Sequence, residues 1–303
     1  MEYEKLTYIN SRGETLEFSV TRGETLEFSV TSVLHCNVSK DVTGIAGIDN
    51  TIYKTNSMGQ HGDTYISQRY EARDITIVGH INSRDKDRVL ELRRKVEKIL
   101  NAELDAKLIY TYKDFVRVID CKVDGRPLFK SSKVFMQYSI PITCCNPFWR
   151  EEAEAKKDIA AWVSSWEFDF EIPEEGIELG YREPSVIVNV YNEGDVKSGM
   201  RVEFRAVGTV VNPVLLNVDT QEYLKLIDTT MVAGDIITIN TEYGSKGATL
   251  TRDGEVIDYF RHIDVDSTFM QLAIGDNVFR YDAESGVTAL EATIYHSNKY
   301  LGV

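Results

Sequence analysis

One stretch of this sequence has the period of a helix, and almost everything after it has the period of a strand. SRDKDRVLELRRKVEKILNAEL (83–104) carries Val89, Leu92, Val96, Ile99 and Leu100 as one apolar stripe on a helix. Ser83 or Asp85 can cap its start. From residue 107 onward the chain reads as short β-branched and aromatic runs divided by turn residues. Such a chain must bury sheet against sheet, with a single helix to place among the strands. The predicted class is mainly β.

Before the helix, ARDITIVGH (72–80) alternates as a strand. After it come KLIYTY (107–112), FVRVIDCKVD (115–124) and SSKVFMQYSIPI (131–142). The second half continues with VIVNVYNEGD (186–195), MRVEFRAVG (200–208), NPVLLNV (212–218), EYLKLID (222–228), DIITINT (235–241) and TLTRDGEVIDYF (249–260). TFMQLAIGDNVFRYD (268–282) and ALEATIYHSNKYLGV (289–303) complete it. Asp253-Gly254 and Gly275-Asp276-Asn277 are predicted hairpin turns. Many short strands with no helix between them predict a sandwich for this half. SRGETLEFSV (11–20) is followed at once by TRGETLEFSV (21–30), and each copy reads as a turn and a strand.

Charge divides the chain. It holds 34 Lys and Arg against 48 Asp and Glu, net −14. Residues 1–150 carry 22 basic and 20 acidic side chains, whereas residues 151–303 carry 12 and 28. The net −16 of the second half argues against a phosphate-binding face there, and it supports a boundary near residue 150. No apolar run approaches the ~18–20 residues of a membrane helix, and MEYEKLTYIN has no apolar core of a secretory signal. Cys36, Cys121, Cys144 and Cys145 show no metal-ligand spacing and read as reduced thiols.

Motifs that carry chemistry are sparse in this sequence. None of His35, His61, His80, His262 and His296 stands in a ligand motif. HIDVDS (262–267) would put His262, Asp264 and Asp266 on one strand face, and reads as a solvated edge before a turn. Cys144 and Cys145 would point to opposite faces of a strand. EYGSKGATL (242–250) lacks a phosphate-cradle pattern and reads as a hairpin loop. The helix face with Arg88, Arg93, Arg94, Lys95 and Lys98 reads as solvated. Trp162 and Trp166, four apart in WVSSW, suit a helix turn or an interdomain packing patch. SMGQHGD (57–63) reads as an exposed turn or hairpin tip.

Taken in order, these features resemble a known family. They are MGQHGDTYISQRYEARDITIVGHI (58–81), one Arg-rich helix with three strands after it, CCNPFW (144–149), YNEGD (191–195), LAIGDN (272–277) and the closing IYHSNKYLGV (294–303). The chain resembles the distal tail proteins (Dit) of long-tailed phages and related prophage particles of Gram-positive bacteria, from about residue 5 to the C-terminus.

The resemblance implies a ring-forming, β-rich, split-barrel-like belt domain with one α-helix at 1–148. It implies a galectin-like β-sandwich at 149–303, whose last strand returns towards the first domain. It further implies a homo-hexameric ring, single or double, around a channel through which DNA passes without specific binding. One face would dock on the tail tube protein and the other on a tail-associated lysin or tip hub protein. The sandwiches would mount receptor-binding or adaptor proteins. No enzymatic activity, cofactor, metal or membrane insertion is implied. The expected location is the virion tail tip or baseplate, after assembly in the bacterial cytoplasm.

Three sets of residues follow as candidates. Met58, Gly59, Gln60, His61, Gly62 and Asp63 would pack between subunits or line the lumen. Pro147, Phe148 and Trp149 would pack the domain junction. Glu174, Glu175 and Glu178 would form an acidic surface facing a basic partner. The repeat at 11–30 departs from the family by lengthening the first hairpin, no large inserted carbohydrate-binding module is visible, and the second half lacks the His, Asn, Arg and Trp constellation of true galectins. A carbohydrate-binding sandwich with Trp162 and Trp166 exposed, and a hydrolase with a carboxylate pair, stand as alternatives.

Overall fold

The computed structural model describes residues 5–19, 33–82, 86–131, 135–159, 162–164, 180–182 and 187–303. The second copy of the repeat lies outside them. The chain forms two compact units, Met1–Glu152 with Tyr300–Val303, and Ala153–Lys299.

In the first unit seven strands close on themselves. Around the ring they are Lys5–Asn10, Thr15–Ser19, Val33–Thr43, Arg73–Asn82, Phe135–Cys144, Phe115–Val123 and Ala106–Tyr112, which pairs again with Lys5–Asn10. Thr15–Ser19 and Val33–Thr43 run parallel; the other six pairings are antiparallel. The closing seam is short, with Ile142 opposite Val123 and Thr143 opposite Lys122. Alternation turns Leu6, Tyr8, Leu16, Phe18, Ile75, Ile77, Leu108, Tyr138 and Ile140 into one core. A barrel of this kind leaves few free strand edges.

The helix, Lys86–Ile99, adds Val89, Leu92, Val96 and Ile99 to that core, with Leu100 just beyond its end, as the stripe predicts. Its C-terminal carbonyls lack helical partners. Asn10 Nδ2 supplies one, donating to the Ile99 carbonyl at 3.1 Å. Three cations of the basic face, Arg93, Lys95 and Lys98, are paired with carboxylates. Glu91 meets Lys95 at 2.6 Å, Arg93 meets Glu97 at 2.9 Å and Lys98 meets Glu14 at 3.2 Å.

The second unit is a β-sandwich. One sheet orders Ala155–Asp158, Leu290–His296, Met200–Ala206, Ile236–Asn240, Gly247–Arg252 and Glu255–Asp258. The other orders Ile187–Asn192, Gly275–Ser285, Val210–Asn217 and Tyr223–Lys225. Val202, Phe204, Ile237, Ile239 and Ile294 from the first sheet pack with Val190, Leu215, Leu224 and Phe279 from the second.

Three local expectations change. Residues 260–262 form a single 3-10 turn instead of a strand, so His262, Asp264 and Asp266 do not share a strand face. The turn expected at 275–277 lies earlier, because the buried Asn277 closes it by donating to the carbonyls of Ala273 and Gly275 and accepting from the Ala273 N–H. Trp162–Ser164 is a strand, so WVSSW is not a helix turn.

Candidate functional site

Among the described residues, one hairpin of the first unit pairs with no strand of its barrel. Asn50–Thr55 and Thr64–Tyr70 form a separate antiparallel hairpin. The register shifts after Tyr53, so that Tyr53 faces Ser67 while Lys54 faces Tyr65, leaving Ile66 as the extra residue of a bulge. All seven residues of Thr64–Tyr70 are exposed. Among them Tyr65 and Ile66 are each 59% exposed, and Ile52 opposite is 53% exposed. Two strands with no layer beneath them are marginal in water, and an apolar cluster left bare on such an arm is an interface waiting for a surface.

The sequence-named loop is the tip of this arm. Gln60 organises it: its Oε1 accepts from the Ser57 N–H at 3.1 Å, its own N–H donates to the Ser57 carbonyl at 3.0 Å, and its Nε2 donates to Thr64 Oγ1 at 2.9 Å. Gly59 and Gly62 turn the chain at φ +83° and +78°. Met58 is fully exposed. His61 and Asp63 stand beside it, and Asp63 pairs with Lys54. Lower down, Arg69 grips Glu71 through two bonds of 3.0 Å. The Thr51 hydroxyl and Arg69 hold the Glu71 carboxyl below the usual carboxylate range. Both cations on the two strands of the arm are thus matched by carboxylates.

The root of the arm is built differently. Arg73, at the start of a barrel strand, is buried, and its guanidinium donates to backbone carbonyls. Its Nε donates to Pro147 O at 2.8 Å, Nη1 to Gly44 O at 2.6 Å and Gly47 O at 3.0 Å, and Nη2 to Leu301 O at 2.5 Å. Burial pulls its pKa down, yet a guanidinium stays charged in proteins. Four loop carbonyls are therefore drawn to one cation.

Pro147, Phe148 and Trp149 meet the same root. Pro147 supplies the carbonyl just described. The Phe148 ring stands edge-on to Tyr70 at 5.5 Å. Trp149 is fully buried in the barrel core, donates from Nε1 to Ile45 O at 3.2 Å and lies under the Arg73 guanidinium. The structure therefore places one candidate set at the tip of the arm and another at its root. Glu174, Glu175, Glu178 and Trp166 lie outside the described residues. Among the described residues no group of three His, Cys, Asp or Glu gathers as metal ligands. His262 stacks on Tyr259 at 3.9 Å, with Nδ1 3.2 Å from Ile227 O.

In the second unit, the YNEGD segment is a packed corner. Asn192 is buried, accepts from the Gly194 N–H at 2.9 Å and donates to Val196 O at 3.1 Å. A side chain at Gly194 would meet the Lys299 backbone at 2.6 Å, which explains the glycine.

Comparison with known proteins agrees along the chain. The family described as "Phage tail protein RIFT-related domain" matches residues 32–144, and "Siphovirus-type tail component, C-terminal domain" matches residues 193–300. Among solved structures, the Dit protein of phage SPP1 aligns at a TM-score of 0.63 and 14% identity, over 98% of this chain and 99% of that one. That protein is described as a paradigm of the hub adsorption apparatus in phages infecting Gram-positive bacteria. Chains of the phage p2 baseplate in its activated conformation, with calcium and with strontium, align at 0.54 and 0.53 and 11% identity, over the full length of both chains. At these identities the likeness is one of fold. No curated protein matches the chain.

Proposed function

Because the chain belongs to the siphovirus distal tail (Dit) family, matching both of its domain descriptions in order, and so has a structural role in a phage tail or baseplate, we propose that it is the ring-forming hub of the tail tip. Six copies join through the first unit around a channel for DNA. One face of the ring meets the tail tube protein and the other the tail-associated lysin or tip hub protein. The sandwich domains carry receptor-binding or adaptor proteins. The role is architectural, without catalysis, cofactor or membrane insertion. The protein works in the virion tail tip after assembly in the host cytoplasm.

The single observation that carries this reading is the arm. Ile52, Tyr65 and Ile66 have no reason to be bare on a monomer, whereas a head-to-tail contact repeated until it closes covers each arm with the next copy. Met58, Gly59, Gln60, His61, Gly62 and Asp63 then lie at the subunit interface or on the lumen rim. The pairing of Lys54 with Asp63 and of Arg69 with Glu71 suits a surface past which DNA must slide without sticking.

Light scattering with negative-stain imaging tests the reading. Six copies of the 34.4 kDa chain make about 206 kDa, and the particle should show an open centre. A triple variant Ile52→Ser, Tyr65→Ser and Ile66→Ser should run as a folded monomer. A wild type that stays monomeric even with the tail tube protein added would overturn the ring.

A further inference from the structure

The two outer edges of the six-stranded sheet are treated differently. Ala155–Asp158 at one end places two lysines, Lys156 and Lys157, in its exposed middle. Lysines on an edge keep other strands away. Glu255–Asp258 at the other end is exposed at every residue, and its middle is Val256 and Ile257, 68% and 46% exposed. It pairs with Gly247–Arg252 on one side, and among the described residues nothing pairs with it on the other.

The backbone of this edge is open in a defined register. Asp253 and Gly254 have φ of +52° and +83°, a two-residue hairpin turn of type I′. Arg252 and Glu255 flank it as the hydrogen-bonded pair, so alternation turns the N–H and C=O of Val256 and Asp258 outward. The Tyr259 N–H donates back to Ala248 O at 2.9 Å, in the same phase. Ile257 stands opposite the buried Leu250, so a strand added here would extend the apolar inner face. Beyond the strand the surface continues as aromatic. Phe260 stacks on Phe269 at 5.9 Å, and Lys246 Nζ lies 5.0 Å from the Tyr243 ring and 5.1 Å from that of Phe269.

Charge selects the occupant. A second copy would have to match outward residues, Val256 against Asp258. That puts both Asp258 carboxylates on one face of a short ladder and brings a second half of net −16 to the same edge, and like charges are unfavourable there. We propose that Glu255–Asp258 is a strand-addition site for an extended segment of a different protein, one with an aliphatic residue opposite Ile257 and Lys or Arg opposite Glu255 and Asp258. Backbone bonds would supply affinity, and the flanking charges the choice of partner. The inference rests on the sandwich alone and survives if the ring does not form.

The test uses the full-length protein and two labelled, blocked peptides, one with the core Lys-Val-Ile-Lys and one with Glu-Val-Ile-Glu. Binding is read by anisotropy, and the site by amide hydrogen exchange. The basic peptide should bind and slow exchange at Val256 and Asp258, and the acidic one should not. Val256→Pro removes an outward N–H while leaving the inward ladder intact. It should weaken binding about tenfold or more with the melting temperature unchanged. Should that variant not fold, Ile257→Lys, which repels a basic strand, should give the same loss. No binding of the basic peptide at millimolar concentration, equal binding of both peptides, or binding untouched by these substitutions would overturn the site. So would a doubling of mass abolished by Val256→Pro, which would assign the edge to a second copy.

Discussion

Arg73 Nη2 donates to the carbonyl of Leu301 at 2.5 Å, across 228 positions of sequence. The contact ties the end of the chain to the root of the arm. Gly302 lies beside it, where an added Cβ would stand 2.3 Å from Ala46 O. The arm therefore leaves a root held by one cation, two loops and the last residues of the chain.

Replacing Arg73 tests that root. A lysine in its place would keep the charge but cannot span four carbonyls in a planar fork. Arg73→Lys should cost about 2 kcal/mol, and Arg73→Met about 3 kcal/mol or more, since buried acceptors are left unpaired. Deleting 301–303 removes only one of the four acceptors and should cost about 1–2 kcal/mol. Combined with Arg73→Met, the deletion should add less than its separate cost, because both act through one network. Urea unfolding of the four proteins checks the series.

Two glycines of the same region separate backbone strain from collision. Gly44 at the root has φ +87°, and an added Cβ would lie 2.0 Å from Asp74 O. Gly59 at the tip has φ +83° with open space around it. Gly59→Ala should cost only the left-handed strain, about 1 kcal/mol. Gly44→Ala should cost about 3 kcal/mol or more, because backbone cannot yield to it. Equal thermal shifts for the two variants would show that the root can relax.

The tip of the arm is legible in the sequence and its root is not. SMGQHGD announces a turn because Gly59 and Gly62 supply the left-handed residues a turn needs. The helix stripe and the strand alternations are legible because burial on one side imposes a period. Arg73 stands in a strand motif as an ordinary polar position, and its partners are backbone carbonyls of Gly44, Gly47, Pro147 and Leu301. Carbonyls leave no side-chain signature. Closure of the barrel through Ile142 and Thr143 is invisible for the same reason. HIDVDS misled because alternation over six residues also fits a tight turn followed by loop. The exposed Ile52, Tyr65 and Ile66 look like any strand pattern until the missing layer beneath them is seen.

Thiol labelling should divide the cysteines by burial. Cys145 is exposed, while Cys121 and Cys144 are buried and unpaired in disulfides. Burial pushes the Cys144 thiol up to about 12 and raises Cys121 as well. The thiolate is the reactive form. Brief alkylation of the native protein at mildly alkaline pH, followed by peptide mapping, should mark Cys145 and spare Cys121 and Cys144. All three should react in denaturant. Native labelling of Cys121 at the rate of Cys145 would mean that the barrel opens far more readily than its packing implies.

Acid should loosen the sandwich through Asp235. This carboxylate is buried and accepts from Arg252 Nε at 2.8 Å, from Arg252 Nη2 at 2.5 Å and from the Val232 N–H at 2.8 Å. The Arg252 bonds hold its pKa below the ordinary 3.8, with the Val232 bond assisting against the opposing effect of burial. A carboxyl whose folded pKa is depressed contributes its full stability above the unfolded pKa, and loses it as pH falls through the folded value. Asp235→Asn should therefore cost about 1–2 kcal/mol at neutral pH. It should cost progressively less below about pH 4, where the wild-type carboxylate is itself being protonated. Denaturant midpoints of the two proteins from neutral pH down to about pH 2 should converge. A gap that stays constant across that range would mean that Asp235 acts through packing, with its charge of no consequence.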